Sequence, residues 1–194
     1  MHPSESLNNK QAGVGTHPLR FILWLMIISS TMAFAAFTSA YIVRRGEGNW
    51  LDVDLPQSML INTIVVLLSS VTMQLAYYFA RRDEISRVRI FLIVTFLLGI
   101  VFLIGQWHVW SELVLDNVHF GGGANPAGSF IYVLMGFHGA HIIAGLIFLA
   151  KTFNKTLQYK IHSRSMLPIG NCTIFWHFLG GLWLYLYLFL LLNH

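Results

Sequence analysis

Three histidines lie well inside apolar stretches of this 194-residue chain, away from their ends. His138 and His141 occupy SFIYVLMGFHGAHIIAGLIFLAK (129–151), and His177 falls in the last apolar run. Histidine changes charge near neutral pH and is the commonest metal ligand. Two histidines at i, i+3 project from one side of a helix, so they could ligate a haem or a metal. They could also form part of a proton or ion path, as ionisable residues at membrane depth often do. A third role is hydrogen bonding between helices or to lipid headgroups, each bond contributing about 0.6–2 kcal/mol.

The surrounding residues bear on each role. No carboxylate inside an apolar run completes a ligand set, and His138 and His141 are too close for a di-haem arrangement, which needs histidines several turns apart. The acidic residues Asp52, Asp54, Asp83, Glu84, Glu112 and Asp116 lie in loops or at the ends of apolar runs, so no acidic relay accompanies the histidines. Cys172 is the only cysteine, which excludes an intrachain disulfide and a thiolate cage built by this chain alone. The residues therefore describe a helical membrane subunit with no complete catalytic site, and all three roles stay open for the histidines.

The elements that must position them are membrane helices. The chain is 56% hydrophobic and 10% charged, with a mean hydropathy of +0.63, more apolar than a soluble domain of this size requires. Five apolar runs, each about the length that spans a bilayer as a helix, cover about 20–43, 57–80, 90–110, 129–151 and 173–192. They predict an all-α bundle forming one membrane domain over 20–194, preceded by a flexible cytoplasmic arm at 1–19 with no cleavable signal. Small residues mark close-packing stripes, Ser29, Ala33, Ala36 and Ala40 on the first helix and Gly136, Ala140 and Ala144 on the fourth.

The net charge of +4 follows membrane topology and does not call for nucleic acid. Lys10, Arg20, Arg81, Arg82, Arg87, Arg89, Lys151, Lys155, Lys160 and Arg164 fall on one side, and only Arg44 and Arg45 on the other. The positive-inside rule then places the N-terminus in the cytoplasm and the C-terminus outside. The segment GGGANPAGS (121–129) has the glycines of a phosphate loop but lacks its Lys-Ser/Thr ending, and reads as a turn.

Several motifs in order resemble subunit III of the haem-copper oxidases, the cytochrome c and quinol oxidase family. FIYVLMGFHGAHIIAGLI is similar to the family signature at Tyr132, Gly136, His138, Gly139 and His141. FTSAYIVRR matches a helix end at Ala40, Tyr41 and Arg44. LLSSVTMQLA (67–76), GQWHVW (105–110) and WHFLGGLWLYLYLF (176–189) match three further segments. The resemblance is to the short, five-helix bacterial form. It implies a non-catalytic subunit of the bacterial inner membrane with no cofactor of its own. That subunit would pack against a catalytic subunit I carrying haem and copper, within an oxygen-reducing, proton-translocating complex that could join a respiratory supercomplex. It also implies phospholipid binding, with His138, His141, Trp176, His177, Gln106 and Arg44 as lipid or interhelical contacts.

Three departures stand out. The carboxylates that the family carries within the membrane are placed at Thr31, Val109 and Gly180, none of which is acidic. A role in proton handling assigned to those groups does not carry over. An accessory protein of a quinol oxidase or nitric oxide reductase is the nearest alternative. A haem- or metal-binding anchor and a small transporter are the others, although no inverted repeat is visible.

Overall fold

The computed structural model describes residues 18–48, 56–115, 126–158 and 166–193. They form five helices: α1 (Pro18–Gly46), α2 (Ser58–Arg81), α3 (Ile85–Leu115), α4 (Pro126–Leu157) and α5 (Leu167–Leu192). Each is long and apolar enough to cross a membrane. No strand occurs among the described residues. The expected arm at 1–19 lies outside them except for its last two residues, which already belong to α1.

Most helices outrun the apolar stretches that announce them. α3 takes in Arg87, Arg89 and Glu112, and α4 takes in Lys151 and Lys155. An apolar window marks where hydrocarbon begins and ends, whereas the backbone stays helical into the headgroup layer. Proline supplies several starts. Pro18 and Pro126 open α1 and α4, and Pro168 lies in the first turn of α5, where a missing N–H costs nothing. Residues 126–129 of the glycine-rich segment are thus the first turn of α4, not a loop.

A tight turn fixes the α2–α3 pair. Asp83 adopts φ +57°, a left-handed conformation that aspartate tolerates better than most residues. The amides of Arg82 and Glu84 donate back to the carbonyl of Phe79 at 3.1 and 3.2 Å. Arg87 closes the turn, pairing with Glu84 at 2.9 Å and lying 5.1 Å over the Phe79 ring. With so short a connection, α2 and α3 must run antiparallel and pack along their length. Thr72 meets Thr95 at 2.8 Å, and Ser58 bonds Glu112 at the opposite end.

α5 fills the middle, with Trp176, Leu179, Trp183 and Leu186 buried along it and contacts to α1, α2 and α4. Among the described residues, α1 is the least enclosed helix and is held by α4 and α5 alone. Large apolar side chains such as Met32, Ile61, Ile104 and Ile147 point outward. Such a surface suits lipid, where exposed leucine and isoleucine carry no penalty.

Candidate functional site

The two histidines of α4 face different neighbours. His141 Nε2 lies 3.0 Å from Ser30 Oγ on α1, and its Nδ1 lies 2.8 Å from the carbonyl of Phe137 one turn back. A carbonyl only accepts, so Nδ1 carries hydrogen and, in the neutral ring, Nε2 accepts the Ser30 hydroxyl. Both nitrogens of His141 are therefore taken by protein groups. His138 is fully buried. Its ring packs against Phe34 of α1, Phe102 of α3 and Trp183 of α5, with centroids 6.3, 5.8 and 5.2 Å away.

Two tryptophans of α5 extend this centre to α2. Trp183 donates its indole N–H to Thr63 at 3.0 Å, and Trp176 donates to Ser69 at 3.1 Å. Tryptophan suits these positions, since its large apolar body fills the core and its single donor reaches one hydroxyl. Trp176 requires room on two helices. A Cβ added to Gly99 would lie 2.9 Å from Cη2 of Trp176, and one added to Gly145 would lie 3.4 Å from Cζ3. Gly105 makes room in the same way, because a Cβ there would fall 1.9 Å from Oδ1 of Asn62.

Among the residues singled out from the sequence, His138, His141 and Trp176 contact other helices. Gln106 is buried on α3, with both amide atoms lacking a protein partner. His177 and Arg44 make local contacts. His177 is exposed and its Nδ1 meets the carbonyl of Thr173, while Arg44 pairs with Glu47 at 2.8 Å. Neither of these contacts reaches another helix.

The small-residue stripes face outward. Ser29, Ala36, Ala40, Ala140 and Ala144 are exposed, and Ala33 and Gly136 are half-buried. The helix face that packs inside the chain instead carries Leu23, Ser30, Phe34, Thr38 and Tyr41. Thr38 meets the Tyr185 hydroxyl at 2.9 Å, and Tyr41 donates to the carbonyl of Asn193 at 3.0 Å. Aromatic anchoring, not close backbone approach, holds α1 in place. The sequence reading missed Thr63, Gly99 and Gly105, whose only signal is a small or hydroxyl residue within an apolar run.

A groove of about 770 Å³ opens between α1, α4 and α5 at the end rich in lysine and arginine. Leu19, Ile22 and Met26 supply an apolar wall, and Lys151 and Lys155 stand at its edge. α5 begins at this groove with no side-chain cap on its first turn. Among the described residues, no three His, Cys, Asp or Glu side chains come together as a metal site.

The sequence matches the profile of cytochrome c oxidase subunit III over residues 4–193. The chain belongs to this family. It is 30% identical over 189 residues to the probable cytochrome c oxidase subunit 3 of Mycobacterium bovis, covering 94% of this chain and 88% of the relative. It is 27% identical over 180 residues to the cytochrome bo(3) ubiquinol oxidase subunit 3 of Buchnera aphidicola, covering 89% and 85%. A third relative, the cytochrome c oxidase subunit 3 of Corynebacterium diphtheriae, is 28% identical over 165 residues, 81% of this chain and 79% of that one. Family and helices together make this a multi-pass protein of the bacterial inner membrane and an accessory subunit of the haem-copper oxidase class.

Thr31 is exposed, and its hydroxyl bonds the carbonyl of Ile27 on its own helix at 2.8 Å. Ser30 is the residue that faces His141. Ser30 is 5% exposed; of the two positions besides Thr31 at which the resemblance implied a carboxylate, Val109 is fully buried, and Gly180 is buried with Ser70 Oγ 2.8 Å from where its Cβ would be.

Proposed function

We propose that the chain is the non-redox third subunit of a proton-pumping terminal oxidase, packing against the catalytic subunit and binding phospholipid. The groove between α1, α4 and α5 carries the lipid part of this reading. Two lysines and the N-terminal end of α5 offer positive charge to a phosphate, while Leu19, Ile22 and Met26 offer an apolar wall to an acyl chain. The lysines belong to the basic side of the topology, so the lipid is one of the cytoplasmic leaflet, with the N-terminus in the cytoplasm and the C-terminus outside. The exposed small residues Ser29, Ala36 and Ala40 on α1, with Ala140 and Ala144 on α4, suit a helix of another subunit, because small side chains let backbones approach within the membrane.

The test is purification of the oxidase from membranes holding either the native chain or a Lys151→Gln, Lys155→Gln variant, followed by mass spectrometry of retained lipid. Loss of anionic phospholipid from the variant supports the groove, and unchanged lipid content defeats it. Recovery of a haem-copper catalytic subunit with the native chain supports the partnership. Its absence overturns that part separately. The subunits recovered also decide whether cytochrome c or a quinol feeds the complex.

A further inference from the structure

We propose that a bound water molecule sits within the membrane-spanning core, held by His138 of α4, Gln106 of α3 and Asn62 of α2. His138 is fully buried, Asn62 is 3% exposed and Gln106 is 4% exposed. Neither ring nitrogen of His138, neither amide atom of Gln106, nor Nδ2 of Asn62 has a hydrogen-bond partner among the described residues. Leaving one such group unsatisfied costs about 1–3 kcal/mol, and lipid supplies no partner at this depth. One lone orphan would be a local defect, but three on α2, α3 and α4, with α3 packed against both of the others, point to one polar site.

Helix geometry brings the three together. Phe102, whose ring packs against His138, and Gln106 lie one turn apart on the buried stripe of α3. Side chains on a helix lean toward its N-terminus. α3 and α4 are antiparallel neighbours, so Gln106 leans back toward Phe102 while His138 leans the opposite way, toward Gln106. Asn62 closes the third side, its amide resting against Gly105, the residue before Gln106. The surrounding walls are the Phe102 and Trp183 rings.

The donor set selects water. A neutral imidazole offers one donor and one acceptor, the Gln106 amide offers both kinds, and the Asn62 NH₂ offers a donor. Water, with two of each, satisfies such a mixed set, and buried waters typically make about three hydrogen bonds. A cation would find too few oxygens among these groups, and an anion would find no formal positive charge in a neutral set.

The experiment is solid-state NMR of the oxidase complex in bilayers with ¹⁵N-histidine in this subunit, magnetisation being transferred from water protons. The His138 resonance is identified by its disappearance in His138→Phe. Transfer from water to the His138 ring in the native chain, lost in Gln106→Leu, is the expected result. No transfer, with His138 coupled directly to the Gln106 side chain, would overturn the proposal. Should Gln106→Leu fail to assemble, a density map of the native complex decides the matter. A peak about 2.7–3.2 Å from both His138 and Gln106 supports the site, and side chains closed on one another with no peak between them refute it.

Discussion

Ser30 on α1 and His141 on α4 are joined by a 3.0 Å hydrogen bond between two membrane-spanning helices. The serine hydroxyl links the two helices without a formal charge of its own. Ionised groups at helix centre cost about 2.5–3.5 kcal/mol on insertion scales, so a hydroxyl is a less costly way to make a polar link at this depth. The ring of His141 is oriented for it because its other nitrogen is fixed by the carbonyl of Phe137.

Ser30→Ala removes this bond without altering shape much. We expect a loss of about 0.6 kcal/mol and at most about 2 kcal/mol, read from unfolding in mixed micelles. α1 is held by few neighbours, so the loss should show first as earlier protease access to α1. Unchanged stability and protection would show that Thr38 and Tyr41 suffice.

Gly105→Ala should be costly, because its Cβ would overlap the Asn62 amide. Overpacking of this kind costs about 1–3 kcal/mol. Asn62→Ala in the same chain should recover part of that loss, and a double-mutant cycle measures the coupling. Additive losses would mean that α2 and α3 separate instead of the asparagine moving.

Gly99→Ala and Gly145→Ala should rank in that order of harm. At Gly99 the new methyl meets both Leu146 and the rigid Trp176 ring, at 2.8 and 2.9 Å. At Gly145 the close contact is the end of Leu179 at 2.8 Å, a side chain that can rotate away. Thermal unfolding of the two variants gives the order, with about 1–3 kcal/mol expected for the first. The reverse order would place the rigidity of this core elsewhere.

Replacing His138 or His141 by alanine should weaken retention of the subunit by the oxidase and leave the visible spectrum of the complex unchanged. The observation behind this is that His141 spends both nitrogens on Ser30 and Phe137, so it has none for a metal. A shifted haem band in either variant would contradict it.

Gly180→Asp places a carboxylate against Ser70, where a Cβ already falls 2.8 Å from the hydroxyl oxygen. We expect reduced insertion, by about 2.5–3.5 kcal/mol if the group is ionised, measured as a lower yield of membrane-integrated chain. Wild-type yield would indicate that the aspartate is accommodated by a partner within the bundle.

The residues legible in advance were those whose chemistry conflicts with an apolar run. His138, His141, Trp176 and Gln106 stood out because each carries polar atoms into hydrocarbon, and each is buried or bonds another helix. His177 carried the same signal, yet it is exposed and bonds its own helix. Local sequence reports that a polar atom needs a partner but not which one supplies it. The small-residue stripe of α1 left its partner open for a related reason. A run of alanines says that something can approach closely, without saying whether the approach comes from within the chain.

The five membrane spans, their order and the family were determined by the sequence itself, because hydrocarbon thickness forces each span into about 20 apolar residues and the family motifs are local. Which face of each helix turns inward was decided only by the tertiary structure. Membrane helices are apolar all round, so periodicity carries little information about facing, and contacts such as Ser30–His141, Thr63–Trp183 and Asn62–Gly105 exist only once distant segments are packed. Lipid does not sort buried from exposed leucine as water does, and the packing of rings and hydroxyls between helices does that sorting instead.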